Sequence, residues 1–123
     1  MRNKVLLIED DRDTQVIVSS YLSREYDVRC ASDGMSGLAM ADEDVPDLIL
    51  LDIALPRQMD GLEVARRICA SDKFRHTKVL AFTIHDELRS EILSAGCHGL
   101  IQKPVDPHDL VDTVHELLPP NAG

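Results

Sequence analysis

Two aliphatic runs, Val5–Ile8 (VLLI) and Leu48–Leu51 (LILL), are apolar at every position, and each stops at carboxylates: Glu9 and Asp10 after the first, Asp52 after the second. A strand with one solvated face alternates, whereas one that is apolar throughout is buried on both faces and belongs in the middle of a parallel sheet. A charge set against such a run is costly unless something compensates it. Pro56 follows Asp52 closely and forbids the run from continuing as regular structure. Asp52 therefore needs either a structural reason or a chemical one.

The rest of the chain supplies a frame for these runs. Short β-type stretches at Lys4–Ile8, Asp27–Ala31, Asp47–Leu51, Lys78–Phe82 and Gly99–Gln102 alternate with segments whose apolar residues are three and four apart. Those segments carry Ile17, Val18, Tyr21 and Leu22; Leu62, Ala65, Ile68 and Cys69; Leu88, Ile92 and Ala95; and Val111, Val114, Leu117 and Leu118. The stretch from Asp33 to Asp42, with Gly34 and Gly37, has the faintest helical pattern. Gly96 stands where a helix would stop, and Asp106-Pro107-His108-Asp109 reads as an N-cap acid, a proline at the first helical position and a further acid in the first turn. Strands alternating with helices imply right-handed crossovers and a mostly parallel sheet covered on both faces, a doubly wound α/β fold. At 123 residues one domain is expected, 1–123, with its core at about 3–118 and a fraying tail at 119–123.

Composition narrows the partners. Hydrophobic residues make up 44% and charged residues 28%, ordinary for a globular domain, but aromatics are only 3% and Trp is absent, so the core must be aliphatic. A net charge of −9 without a run of Lys or Arg argues against a nucleic-acid backbone or an anionic membrane surface as the ligand, and favours cations and basic proteins. Cys30, Cys69 and Cys97 are odd in number and lack paired spacing, and the N-terminal apolar run is too short for a signal peptide or a membrane span. A reducing cytoplasm is the expected location. The histidines at 76, 85, 98, 108 and 115 show no metal-ligand spacing and read as surface or satisfied residues.

In open α/β sheets the ligand crevice lies beyond the carboxyl ends of the strands. Glu9 and Asp10, Asp52, Thr83, and Lys103 followed by Pro104 stand just past the first, third, fourth and fifth strand segments. With those strands adjacent, three carboxylates share one edge, and two unit charges 4 Å apart repel by about 1 kcal/mol in water and about 4 kcal/mol at an effective dielectric near 20. Protonation of one carboxylate or a divalent cation relieves this, and an oxygen-only set favours a hard ion, Mg²⁺ or Mn²⁺. Thr83 and Lys103 then offer a hydroxyl and an ammonium to phosphoryl oxygens, and Asp52 can attack phosphorus as a covalent nucleophile. Blander readings remain for each residue alone: Asp10, Asp11 or Asp13 as a helix cap, Asp52 as a turn former ahead of Pro56, Lys103 as a solvated lysine. Other uses of the architecture fit less well. The loop EDDRDT repels phosphate where a flavin mononucleotide binder needs a Ser/Thr/Gly-rich loop, Ala54 stands where a haloacid-dehalogenase-type phosphatase needs its second acid, and neither GxGxxG nor GxxxxGK[ST] is present.

The segments VLLIEDD, PDLILLDIALPRQMDG and GLIQKP resemble the signature segments of the receiver domain of two-component response regulators, over essentially the whole chain. That resemblance implies five parallel strands in the order 2-1-3-4-5 with five helices, an order illustrated by a chemotaxis member of this family. It implies that Asp52 accepts a phosphoryl group from a histidine kinase or histidine phosphotransfer protein. Glu9, Asp10, Asp52 and the backbone carbonyl of Ala54 would hold Mg²⁺, Thr83 and Lys103 would bind the phosphoryl oxygens, and the Lys103–Pro104 bond would be cis. Signalling would follow a shift of Thr83 that biases a docking surface around the fourth helix and fifth strand. Four positions depart from or tune the family pattern. Leu100 replaces an aromatic, Ile84 is bulky where a small residue is usual, and Ala54 and His85 occupy the positions that commonly tune dephosphorylation; PRQMDG is also one residue longer than the usual loop. The reading is a stand-alone receiver that catalyses only its own phosphorylation and dephosphorylation and docks to a downstream effector protein, with neither nucleic acid nor membrane as a partner of its own. A receiver-like interaction module that signals without phosphorylation is the alternative, and an Mg²⁺-dependent phosphatase acting on outside substrates is a third.

Overall fold

The computed structural model describes residues 2–56, 59–84 and 86–121. Its elements follow the alternation in the sequence: β1 Lys4–Ile8, α1 Arg12–Leu22, β2 Asp27–Ala31, α2 Gly34–Glu43, β3 Leu48–Asp52, α3 Gly61–Ala70, β4 Lys78–Thr83, α4 Arg89–Ser94, β5 Gly99–Gln102 and α5 Pro107–Leu117. All strand pairings are parallel and the sheet order is β2-β1-β3-β4-β5. Two short 3-10 turns, Asp72–Phe74 and Asp86–Leu88, were not foreseen. Two strands also run one residue further than expected, so Asp52 and Thr83 are the last residues of β3 and β4, not the first beyond them.

Side-chain alternation divides the interior into two layers. Leu6 and Ile8, Ile49 and Leu51, and Val79 and Ala81 face α2, α3 and α4 through Ala41, Val64, Ile68 and Ile92. Val5 and Leu7, Leu48 and Leu50, and Leu80 and Phe82 face α1 and α5 through Val18, Leu22, Leu110 and Val114. The unbroken apolar reading of β1 and β3 is explained by this: every residue of β3 is buried. Edge strand β2 instead alternates between exposed and half-buried positions until Ala31.

Helix starts are set by carboxylates. Asp11, Asp33, Asp60 and Asp106 each accept a backbone N–H in the first turn of α1, α2, α3 and α5. Of the acids after β1, the capping role thus falls to Asp11, whose carboxylate accepts Thr14 N–H at 3.2 Å and Thr14 Oγ1–H at 2.6 Å. Gly96 ends α4 with φ of +108°, and Pro107 opens α5. After α5, Tyr26 Oη donates to Leu118 O and Asn3 Nδ2 donates to Pro119 O at 3.2 Å. Among the described residues no helix is long and apolar enough to cross a membrane.

Candidate functional site

The alternation that splits the core also gathers the site. Val5 and Leu7, Leu48 and Leu50, and Ile101 belong to the α1/α5 layer; counting on by two along each strand reaches Glu9, Asp52 and Lys103. Ladder bonds carry the pattern past the last regular residues, from Glu9 N–H to Ala31 O at 2.9 Å and from Lys103 N–H to Thr83 O at 2.8 Å. Thr83 is in step with Val79 and Ala81 on the other layer, where Leu100 also packs. Glu9, Asp52 and Thr83 are buried, with 0%, 3% and 3% of their surface exposed, while Asp10 is open to solvent.

Lys103 Nζ lies 2.6 Å from Glu9 Oε1 and 3.5 Å from Asp52 Oδ2. The shorter contact is a close ion pair with the buried Glu9 oxygen. The backbone holds the remaining oxygens: Asp11 N–H donates to Glu9 Oε2 at 3.1 Å and Ala54 N–H to Asp52 Oδ1 at 3.1 Å. One carboxylate oxygen each from Glu9, Asp10 and Asp52 lie within 4.8 Å of one another. Burial pushes the Glu9 carboxyl up to about 7, against the opposing pull of Lys103 and the Asp11 amide, and Asp52 adds to the rise. Burial pulls the Lys103 ammonium down, but Glu9 and Asp52 outweigh it and the net direction is up.

These oxygens fit a hard divalent cation. The donor set is carboxylate only, and Asp10 sits at the solvent side where a partly hydrated ion would enter. Lys103 contacts Glu9 and Asp52 from its own strand end, and Asp10 is not among the carboxylates it pairs with. Asp52, Ile53, Ala54, Thr83, Ile84, Leu88 and Lys103 line an adjoining cavity of about 220 Å³. Ile84 stands at its mouth with 57% of its surface exposed.

The structure therefore brings Glu9, Asp10, Asp52 and Lys103 together and sets Ala54, Thr83 and Ile84 around the same cavity. The Lys103–Pro104 peptide is cis. Leu100 is half-buried against the core and with its other side lines a groove that it shares with Gln102, Pro104, Asp109 and Asp112. His85 lies outside the described residues. Sequence reasoning missed Gln15, whose Nε2 donates to Glu9 O at 2.6 Å; Leu88, which completes the cavity wall; and Gly61, which packs on the backbone of Asp52. Gln15 sits six residues from Glu9, and its place in α1 was the only signal available.

The order of the sheet and the acid pocket at its carboxyl edge agree with a comparison of sequences: the family model of the response regulator receiver domain matches residues 5–115. The chain belongs to that family. Among curated relatives of this receiver, the polar-differentiation response regulator DivK of Brucella anthropi is 32% identical over 123 residues, covering 96% of this chain and 98% of its own. The response regulator PleD of Caulobacter vibrioides is 32% identical over 120 residues, but the receiver spans only 26% of its length, and it spans 48% of the Synechocystis regulator RpaA. The chemotaxis response regulator CheY4 of Vibrio cholerae superposes with a TM-score of 0.90 at 29% identity, covering 96% of this chain and 100% of that one. The BeF3-activated DrrB receiver domain superposes with a TM-score of 0.85 at 28% identity, covering 96% and 98%. Receivers are signalling modules of two-component systems that bind Mg²⁺ through an acidic pocket and interact with histidine kinases and effectors in general, and this chain carries an acidic cluster of Glu9, Asp10 and Asp52.

Proposed function

We propose that this receiver accepts a phosphoryl group on Asp52 from the phosphorylated imidazole of a histidine kinase or phosphotransfer protein. The observation that carries the reading is the position of Asp52: 3% exposed at the end of β3, between two further carboxylates and 3.5 Å from the Lys103 ammonium. Among the described residues no capping or turn bond beyond the Ala54 amide explains a carboxylate kept there. In the transfer, an Asp52 oxygen forms the new bond to phosphorus as the phosphorus–nitrogen bond breaks, and the imidazole leaves with its electron pair. Glu9, Asp10, Asp52 and the Ala54 carbonyl would hold Mg²⁺, which would supply charge neutralisation. Lys103 turns from its carboxylate partners to a phosphoryl oxygen, and Thr83 offers its hydroxyl from the opposite side of the cavity. Water later cleaves the acyl phosphate, so the chain turns over only its own modification.

Output is a docking surface around α4 and β5 biased by Thr83. Leu100 pairs with Ala81 and Thr83 with Gln102 in the β4–β5 ladder, and Leu100 and Gln102 both border the α5 groove, so that ladder is the route by which a shift of the threonine would reach the surface. The downstream partner is a protein. The described cysteines Cys30, Cys69 and Cys97 are unpaired, in keeping with a cytoplasmic setting. A receiver domain over residues 1–123 is part of the proposal, supported by the near-complete coverage of DivK.

Incubation with acetyl phosphate and Mg²⁺ should add one phosphoryl mass per chain, and beryllofluoride should bind only when Mg²⁺ is present; both should vanish in Asp52→Asn. Labelling that persists in Asp52→Asn would sink the assignment. A second reading, an interaction module that never takes phosphate, is favoured by the exposed Ile84 side chain at the cavity mouth. It expects an unchanged mass in the wild type.

A further inference from the structure

The first residue of α3 stands against the backbone of the phosphoacceptor. A Cβ built on Gly61 would lie 2.3 Å from Asp52 O, 2.6 Å from Ile53 Cα and 3.0 Å from Asp52 C. Carbon–oxygen contacts close to about 3.3 Å at best, so a single methyl must drive the two segments roughly 1 Å apart. All three neighbours are backbone atoms, and no rotamer change relieves them. Gly61 also grips the same segment from its own backbone, donating its N–H to Ile53 O at 3.0 Å. Its need is for space rather than for left-handed backbone: among the described residues Gly96 is the glycine with a positive φ.

Residues 52 to 54 are thus fixed from two sides. Ile53 N–H donates to Phe82 O at 3.0 Å on the β4 side, and Gly61 closes the α3 side. Within that segment Ala54 N–H donates to Asp52 Oδ1 at 3.1 Å, so the side chain takes its orientation from the backbone that Gly61 touches. We propose that Gly61 is a positioning residue for the acid pocket: its missing side chain lets α3 press the Asp52–Ala54 backbone into the place where Asp52 meets Glu9, Asp10 and Lys103. The inference rests on the reading of Asp52 and Ala54 given above. It also assigns the Asp60 cap a part in the site, because the bond from Glu63 N–H to Asp60 Oδ1 at 3.0 Å holds the turn that carries Gly61.

Calorimetric titration of the full chain with MgCl₂ tests this in Gly61→Ala, with Gly96→Ala as a control. Gly96 is also crowded, its added Cβ meeting the Cys69 side chain at 2.7 Å, but it lies in the turn between α4 and β5, at the other end of the sheet. Gly61→Ala, folded by circular dichroism and measured well below its melting point, should bind Mg²⁺ about 10- to 100-fold more weakly, as a displaced supporting shell does. Gly96→Ala should melt earlier and bind Mg²⁺ as the wild type does. A folded Gly61→Ala with wild-type affinity overturns the inference and leaves Asp52 as phosphoacceptor untouched. If Gly61→Ala does not fold, Asp60→Ala decides: it adds no atom, and it should weaken Mg²⁺ at least about threefold, whereas unchanged affinity overturns the role. A wild type that takes neither Mg²⁺ nor beryllofluoride removes the functional reading itself, and this inference with it.

Discussion

Lys103 sits 2.6 Å from one carboxylate and 3.5 Å from another, both deeply buried, so its charge does structural work before any phosphate arrives. Removing one member of a buried charge cluster leaves the others uncompensated, at a cost of about 3 kcal/mol. Lys103→Met should therefore lower the metal-free unfolding free energy by about that amount in urea titrations above pH 7, and added Mg²⁺ should restore part of it. A second residue gives a cleaner titration. Burial raises the Tyr26 phenol from 10.0 to about 12, with Glu25 adding to it. Because the folded state holds this proton more tightly, the contribution is fully present below about pH 10 and is lost as pH rises through 12. It amounts to about 3 kcal/mol over the window. Tyr26→Phe should be slightly less stable at neutral pH, losing the bond to Leu118 O, and should show a shallower alkaline decline. Glu9, Asp52 and Lys103 were legible in the sequence because a strand end fixes where a side chain goes. Gly61 was not: the close approach of two backbones across a loop leaves no periodic trace.

At the scale of elements, α2 is the instructive case. Its glycines gave the faintest helical pattern, yet Gly34–Glu43 is a full helix with Asp33 as its cap. The glycines are there for contact. A Cβ on Gly37 would fall 2.4 Å from Ile8 Cδ1, inside the layer that β1 and α2 share. Two effects compete in Gly37→Ala. Helix propensity favours alanine by about 1 kcal/mol, while overpacking a full core costs about 1–3 kcal/mol. Ile8 is wholly buried, so the second should win and the variant should melt earlier than wild type in a thermal scan. The strands were legible almost to the residue because β1 and β3 are buried on both faces and say so in their composition. The ends of β3 and β4 were misjudged because a polar residue was taken to end a strand. Asp52 pairs with Phe82 and Thr83 with Gln102 as regular members of the ladder.

For the molecule as a whole, the sheet converts sequence separation into proximity: carboxylates from residues 9, 10 and 52 and the ammonium from 103 meet at one rim. A chain of net charge −9 gains doubly from a divalent cation there, through local relief and through reduced self-repulsion. At a hundredfold excess of Mg²⁺ over its dissociation constant the unfolding free energy should rise by about 2.7 kcal/mol. Urea denaturation with and without Mg²⁺ checks this, and Asp52→Asn should respond less. The two-layer packing was readable from the alternating elements alone. The grip between the ends was not, since Asn3 meets Pro119 and Asn121 through single side chains with no pattern around them.

That grip places Asn3 and Pro119 at the pole opposite the acid rim, a strand length of roughly 16 Å away. Anything spliced on at that pole, whether a fluorophore, a resin tether or a loop closing the chain into a circular permutant, would leave the rim around the exposed Asp10 uncovered.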